Sequence, residues 1–270
     1  MKLLFVGGGN MAGALIGGLL KRGWAATDLQ VVEIAAEARR VLRERHGIDG
    51  LDALPAALSG DHVLLLAVKP QHLQSVAAQL RPLLAGQLVV TIAAGIRTRD
   101  LSRWLGGHAR LIRAMPNMPA LVGAGITALF APGQVADTDR RQADAILSAV
   151  GSTLWVDREE LMDAVTAVSG SGPAYVFYFM EAVMQAASEL GLSPEQARAL
   201  TLETFQGAAA LARQSDESPA LLRERVTSKR GTTERALEHM ERDQVRAHVA
   251  AAVKQAAERS RELGDELGAK

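Results

Sequence analysis

A doubly wound α/β sheet followed by an all-helical segment is the fold class this sequence predicts, and three observations carry the prediction. Up to about Val156, short apolar runs alternate with helical stretches, the pattern of a parallel sheet covered on both faces. Beyond about Glu159 the strand signals stop and well-punctuated helices take over. Near the start, the run Leu3-Leu4-Phe5-Val6 breaks at Gly7-Gly8-Gly9 and continues as a helical pattern. The chain divides accordingly into residues 1–158 and 159–270.

The expected strands are Leu3 to Val6, Leu29 to Glu33, His62 to Val68, Gln87 to Ala93, Ala109 to Ala114, Ile126 to Phe130 and Thr153 to Val156. Each is a short apolar run, as strands buried on both faces require. Helical patterns lie between them at Met11 to Lys21, Ala36 to His46, Leu73 to Leu80 and Asp137 to Val150. In the second part, Ser193-Pro194-Glu195-Gln196 starts a helix with a capping box and Pro at its first position, and Gly191 ends the helix before it. Ser218-Pro219 repeats the device. The last stretch carries Leu237 and Met240, then Val245, Val249 and Val253 at steps of four, a stripe that needs a partner. An Ala-rich helical domain of this size has a thin core by itself, so a homodimer or higher homo-oligomer is expected.

With 30 basic and 30 acidic side chains the formal net charge is zero, which leaves no overall field for nucleic acid or an anionic membrane. The opening MKLLFVGGGN is too short in apolar residues for a signal peptide, and no run approaches the ~20 residues of a membrane span. A cytoplasmic address follows. There is no Cys and hence no disulfide or thiolate metal site, and the six His are scattered without metal spacing.

Gly7, Gly9 and Ala12 occupy the three positions of the G-x-G-x-x-A fingerprint of a Rossmann-type dinucleotide site. Asn10 and Met11 lie within the same turn and are counted with it as cofactor-binding. Glu33 ends the second strand, where a carboxylate accepts hydrogen bonds from the adenosine ribose and repels a 2′-phosphate. Arg39 and Arg40 follow closely and could instead reach that phosphate, so NADH and NADPH both stay open as cofactor. Ala67-Val68-Lys69-Pro70 and Ala93-Ala94-Gly95 end two further parallel strands at the ligand-binding edge. Met115-Pro116-Asn117-Met118-Pro119 follows a third strand as a rigid loop, and the Asn117 amide either stiffens it or faces the nicotinamide.

In Arg225 to Leu237, RVTSKRGTTERAL, the turn Gly231-Thr232-Thr233 stands immediately before a helical pattern. The N–H groups of these three residues, with the positive end of the helix dipole behind them, can hold a carboxylate. Ser169 and Ser171, on either side of Gly170, read as caps of a helix. Tyr175 and Tyr178 sit among apolar residues and read as core, and His72 reads as a surface position.

Together these segments resemble the pyrroline-5-carboxylate reductases over nearly the whole chain. The resemblance is carried by GGGNMA (Gly7 to Ala12), AVKPQ (Ala67 to Gln71), AAG (Ala93 to Gly95), MPNMP (Met115 to Pro119), VSGSGPAY (Val168 to Tyr175) and VTSKRGTTERAL (Val226 to Leu237). It implies NAD(P)H-dependent reduction of a cyclic imino carboxylate, 1-pyrroline-5-carboxylate, to L-proline on a Rossmann domain followed by a helical dimerisation domain. It assigns Ser228, Gly231, Thr232 and Thr233 to the substrate, with the Thr233 hydroxyl near the imine nitrogen. Gly7 to Ala12, Glu33, Ala67 to Pro70, Ala94, Gly95 and Asn117 fall to the cofactor. A protonated imine is already electrophilic, so no strong general acid is needed.

The chain departs from the family pattern at Arg230, where a glycine is usual, at Met118, where Thr is common, and at Glu33, which is less usual in members that favour NADPH. Other readings are another imine reductase, a β-hydroxyacid-dehydrogenase-like enzyme, or a nucleotide-sensing protein without turnover. Such dehydrogenases commonly use a Lys on the first long helix of the second domain, and Ser169 to Ser188 contains none.

Overall fold

The computed structural model describes residues 1–269. The chain forms two compact units, one from Met1–Ser171 together with the chain from Gln255 onward, the other Gly172–Lys254.

In the first unit the elements run β1 (Lys2–Val6), α1 (Asn10–Lys21), β2 (Leu29–Val32), α2 (Ala36–His46), β3 (Gly50–Leu51), β4 (His62–Leu66), α3 (Pro70–Leu80), β5 (Leu88–Thr91), α4 (Thr98–Trp104), β6 (Leu111–Met115), β7 (Gly125–Phe130), α5 (Asp137–Leu147), β8 (Gly151–Trp155) and α6 (Leu161–Val165). The strands form one eight-stranded sheet in the order β3-β2-β1-β4-β5-β6-β7-β8. Successive side chains of a strand point to opposite faces, and the sheet buries both. Leu3, Phe5, Val63 and Leu65 join Leu15, Ile16 and Leu19 of α1 on one side. Leu4, Val6, Leu64 and Leu66 join Leu73, Ala77 and Leu80 of α3 on the other.

The expected strands are all present, and the structure adds short or irregular pieces that lack strong pattern. The two-residue β3 pairs with β2 at the edge, and α4 fills the segment after β5. The helix expected over Asp137 to Val150 ends at Leu147 and tightens into a 3₁₀ turn. Pairing is parallel except between β6 and β7. The connection from Pro116 to Ala124 is too short for the crossover of about a dozen residues that a parallel return needs.

The first compact unit runs past residue 159. Past β8 the chain stays in the first unit through α6 and a π-helical turn, Thr166–Gly170. Glu159 explains the anchoring: its carboxylate accepts from the Thr98 N–H at 2.7 Å and the Thr98 hydroxyl at 2.7 Å, and it pairs with the buried Arg113 at 3.1 Å. The carboxylate thus caps α4, which lacks a side-chain cap of its own. Farther on, the Ser260 hydroxyl donates to Asp163 at 2.7 Å, and Arg97 pairs with Asp265 at 2.6 Å.

The second unit contains α7 (Gly172–Glu189), α8 (Pro194–Gln214), α9 (Pro219–Arg225), α10 (Thr232–Arg242) and the first part of α11 (Val245–Gly268). Ser193 forms the expected capping box with Gln196, Gly191 takes φ +95° after α7, and Ser218 caps α9. The apolar stripe from Leu237 to Val253 is not one helix. Gln244 takes a positive φ of 53° between α10 and α11, a break that no Gly or Pro announces. Tyr178 does not sit in a core: it is 71% exposed, and α7 buries none of its residues. Among the described residues no helix is long and apolar enough to cross a membrane.

His108 links the loop after α4 to β5, its Nε2 lying 2.8 Å from the Gln87 carbonyl oxygen. Burial, aided by the nearby Arg110 charge, holds its pKa below the ordinary value against the opposing pull of the Gln87 carbonyl. Below about pH 6.5 the unfolded chain therefore binds a proton that the folded chain refuses, and stability falls with pH until the depressed folded value is passed. We expect His108→Gln to reduce the difference in urea midpoint between about pH 5 and pH 7. An unchanged difference would exclude His108 as its source.

Candidate active site

The strand order reverses direction between β1 and β4, the switch point at which doubly wound sheets bind ligands. Gly7 makes the turn there with φ +102°. A Cβ on Gly7 would lie 2.7 Å from the Ala67 carbonyl oxygen, so only glycine lets the turn after β1 lie against the backbone leaving β4. Gly9, the N-cap of α1, faces open space: a Cβ there would meet nothing within 4 Å. Beyond it the N–H groups of Asn10, Met11 and Ala12 open α1 with no acceptor among the described residues. Ala12 is buried against the sheet. An uncovered glycine before unpaired N–H groups at the positive end of a helix suits a pyrophosphate. The hollow of about 810 Å³ that begins at Gly8, Gly9 and Asn10 runs back along α1 to Arg22, so only its mouth belongs to this site.

Glu33 stands just past β2, and its two carboxylate oxygens are both engaged. Oε2 accepts from the Gly8 N–H and Oε1 from the Ala35 N–H, each at 2.8 Å. Neither arginine offered as a phosphate partner is idle. Arg39 donates to the Glu33 and Ile34 carbonyls at 2.7 and 2.9 Å, and Arg40 pairs with Glu37 and Glu44.

Ala67, Val68, Lys69 and Pro70 follow β4 directly, beside Gly7. Lys69 is exposed, without an ionic partner among the described residues, and Pro70 begins α3. Ala94 is half-buried past β5, whereas Gly95 is buried and has a packing task. Its φ is +76°, and its Cα is covered by Leu263, Gly264 and Leu267 of α11. The Asn117 amide is used at both ends. Its Oδ1 accepts from the Ile126 N–H at 3.0 Å, and its Nδ2 donates to the Ser169 hydroxyl at 3.2 Å. It ties the proline loop to β7 and to the π turn. Ser169 lies within that turn and caps no helix. Gly170 meets the loop so closely that a Cβ would lie 2.5 Å from the Met115 methyl. Sequence reasoning missed this Asn117 to Ser169 link, for which a 52-residue separation leaves no local signal.

In the second unit, Gly231 is the N-cap of α10, and its N–H is not available to a substrate. It donates to the Ser228 carbonyl at 3.0 Å, closing a turn whose third residue is Arg230. The unpaired donors are instead the N–H groups of Thr232 and Thr233, in the first turn of α10 where no intrahelical acceptor exists. Thr233 is half-buried; Ser228 and Thr232 are exposed. Arg230 takes φ +60°, the left-handed conformation that the position demands, at a cost of about 1 kcal/mol for a residue with a Cβ. Glu234 offsets it by accepting the Arg230 N–H at 2.5 Å. His72 is exposed, as expected.

A glycine-rich turn at a switch point before a helix with unpaired N–H groups defines a dinucleotide-binding protein of the Rossmann class. Comparison with known proteins narrows this. Residues 159–263 match the family model described as pyrroline-5-carboxylate reductase dimerisation, and residues 2–95 match that of coenzyme F420-dependent NADP oxidoreductases. The pyrroline-5-carboxylate reductase of Pseudomonas aeruginosa is 44% identical, covering 99% of this chain and 98% of its own, and that of Pisum sativum is 35% identical over 96% and 94%. Among solved structures, the pyrroline-5-carboxylate reductase of Coxiella burnetii superposes with a TM-score of 0.89 at 37% identity, covering 97% of this chain and 98% of that one. The NADP-bound pyrroline carboxylate reductase of Plasmodium falciparum gives 0.85 at 28% identity, covering 98% of each. The chain belongs to the pyrroline-5-carboxylate reductase family.

Arg230→Gly relieves the left-handed strain and should raise stability by up to about 1 kcal/mol, read as a higher urea midpoint. A lower midpoint would mean that the Arg230 side chain makes contacts worth more than the strain.

Proposed function

We infer that this chain reduces 1-pyrroline-5-carboxylate to L-proline, the last step of proline biosynthesis, using NADPH or NADH. The observation that carries the reading is the pair of helix starts with unpaired N–H groups, one behind Gly7 to Gly9 and one at Thr232 and Thr233. When bound, the reduced dinucleotide supplies the hydride. Gly9, Asn10, Met11 and Ala12 hold its pyrophosphate; Glu33 meets the adenosine ribose. Ala67 to Pro70, with Ala94, line the strand-end edge on the nicotinamide side. Asn117 acts there by holding its loop and Ser169 in place, and Gly95 by seating α11.

Thr232 and Thr233 bind the substrate carboxylate through their N–H groups, with the α10 dipole behind them. Ser228 and Gly231 shape that turn rather than both donating to the carboxylate. The Thr233 hydroxyl hydrogen-bonds the imine nitrogen. Reduction adds a hydride to the ring carbon of the C=N bond, and the nitrogen keeps its proton. Because the protonated imine is already electrophilic, these residues act by orientation.

Residues 159–270 are assigned to dimerisation in the same reading. Val176, Phe177, Tyr178, Phe179 and Val183 of α7 are exposed in the single chain, and so many exposed large apolar side chains on one helix mark an interface. A second copy of the chain is the occupant that the family's dimerisation match supports. A cytoplasmic location belongs to this proposal, because the reaction needs a pool of reduced nicotinamide dinucleotide.

At saturating 1-pyrroline-5-carboxylate the protein should oxidise NADH or NADPH rapidly; binding of both without oxidation would remove the activity. Thr233→Ala should lower kcat by about tenfold to a hundredfold, the worth of one hydrogen bond to a charged group, and leave the dinucleotide Kd nearly unchanged, and equal loss of both would sink the role given to Thr233. Light scattering should report at least a dimer at micromolar protein, and a monomer would exclude α7 as a homotypic interface.

A further inference from the structure

The adenosine end of the nucleotide site holds more information than the family assignment uses. In this fold the residue at the end of the second strand meets the 2′ position of the adenosine ribose. Here that residue is Glu33, and its carboxylate is pinned by Gly8 N–H on one oxygen and Ala35 N–H on the other. An ionised carboxylate has about four acceptor sites, so two N–H bonds leave room for ribose hydroxyls to donate. The same two bonds prevent the group from swinging aside for a phosphate. Gly8 tightens the arrangement, since a Cβ there would lie 3.0 Å from the Glu33 Cβ.

The nearby arginines are held by other partners, and among the described residues Arg39, bonded to neutral carbonyls, keeps a charge with no ionic partner. Arg39 is spent on the two carbonyls at residues 33 and 34, Arg40 on Glu37 and Glu44, and Arg43 on Asp49. Arg45 lies at the far end of α2. Beside Glu33, Ile34 is 84% exposed, an uncharged apolar surface suited to an adenine ring and useless to a phosphate.

We propose that Glu33 makes this chain select NADH over NADPH, by fixing a carboxylate where the 2′-phosphate would have to sit. The proposal rests on the reading that Gly7 to Ala12 hold the dinucleotide. Two negative groups forced together at hydrogen-bond distance near a protein surface readily account for a tenfold or larger difference in affinity, so the NADH Kd should be at least about tenfold lower than that of NADPH.

Calorimetric titration of NADH and NADPH into the purified full-length protein, without imine, reads this independently of turnover. Glu33→Gln keeps the shape and removes the charge, and should bring the two Kd values within about threefold, mainly by tightening NADPH. Glu33→Ser, which also removes the acceptors for Gly8 and Ala35, should narrow the ratio in the same direction. Added salt should shrink the wild-type difference. Equal or tighter NADPH binding by the wild type, or a ratio unmoved in both variants, would overturn the proposal. A different failure would strike the site assignment itself: unchanged Kd values for both dinucleotides in Gly9→Val.

Discussion

No side chain fits between the turn after β1 and the backbone leaving β4, and the nucleotide end of the molecule depends on that constraint. Gly7 turns at φ +102° with its Cα against the Ala67 carbonyl. The approach lets α1 start directly after the turn and pack on the sheet, with its first N–H groups, which no helix can pair internally, at the strand ends. It also brings Gly8 to Glu33, so the turn that receives the pyrophosphate and the carboxylate that meets the ribose are fixed by one local geometry. A parallel sheet buried on both faces supplies the rigidity, since β1 and β4 have partners on each side.

Charge inside the first unit is used for attachment. The buried Arg113 and the carboxylate of Glu159 join β6 to the segment after β8, and the same carboxylate supplies the missing cap of α4. Removing one partner of such a pair leaves an uncompensated buried charge, at a cost of about 3–5 kcal/mol. The end of α11 is held by Arg97 to Asp265, by Ser260 to Asp163 and by the close packing of Gly264 on Gly95. One helix therefore contributes residues to both compact units.

In the second unit, local stability and surface complementarity pull apart. Helices α8 and α9 are capped by Ser193 and Ser218, yet α7 has no buried residue. Propensity and capping make the helices; they do not give the apolar side chains a place to go. The start of α10 shows a similar tension, for the turn that presents the Thr232 and Thr233 N–H groups requires a left-handed residue, and this chain places an arginine there. Glu234, three residues past the N-cap, satisfies the N–H of that strained residue.

The strand runs, the fingerprint at Gly7, Gly9 and Ala12 and the caps at Ser193 and Ser218 were legible in the residues because each is a local pattern with a local cause. The antiparallel β6 and β7 pair, the break at Gln244, the use of the Gly231 N–H within its own turn and the engagement of Glu33 were not. Each depends on where a backbone group finds its partner after the chain has folded. The sequence by itself determined the doubly wound unit, the helical remainder and the glycine-rich turn, since hydrophobic period and glycine placement act over a few residues. Only the tertiary structure decided that Asn117 holds Ser169, that Gly95 seats α11 and that Glu33 is pinned at both oxygens, because those bonds join groups that sequence distance or an ambiguous loop keeps apart.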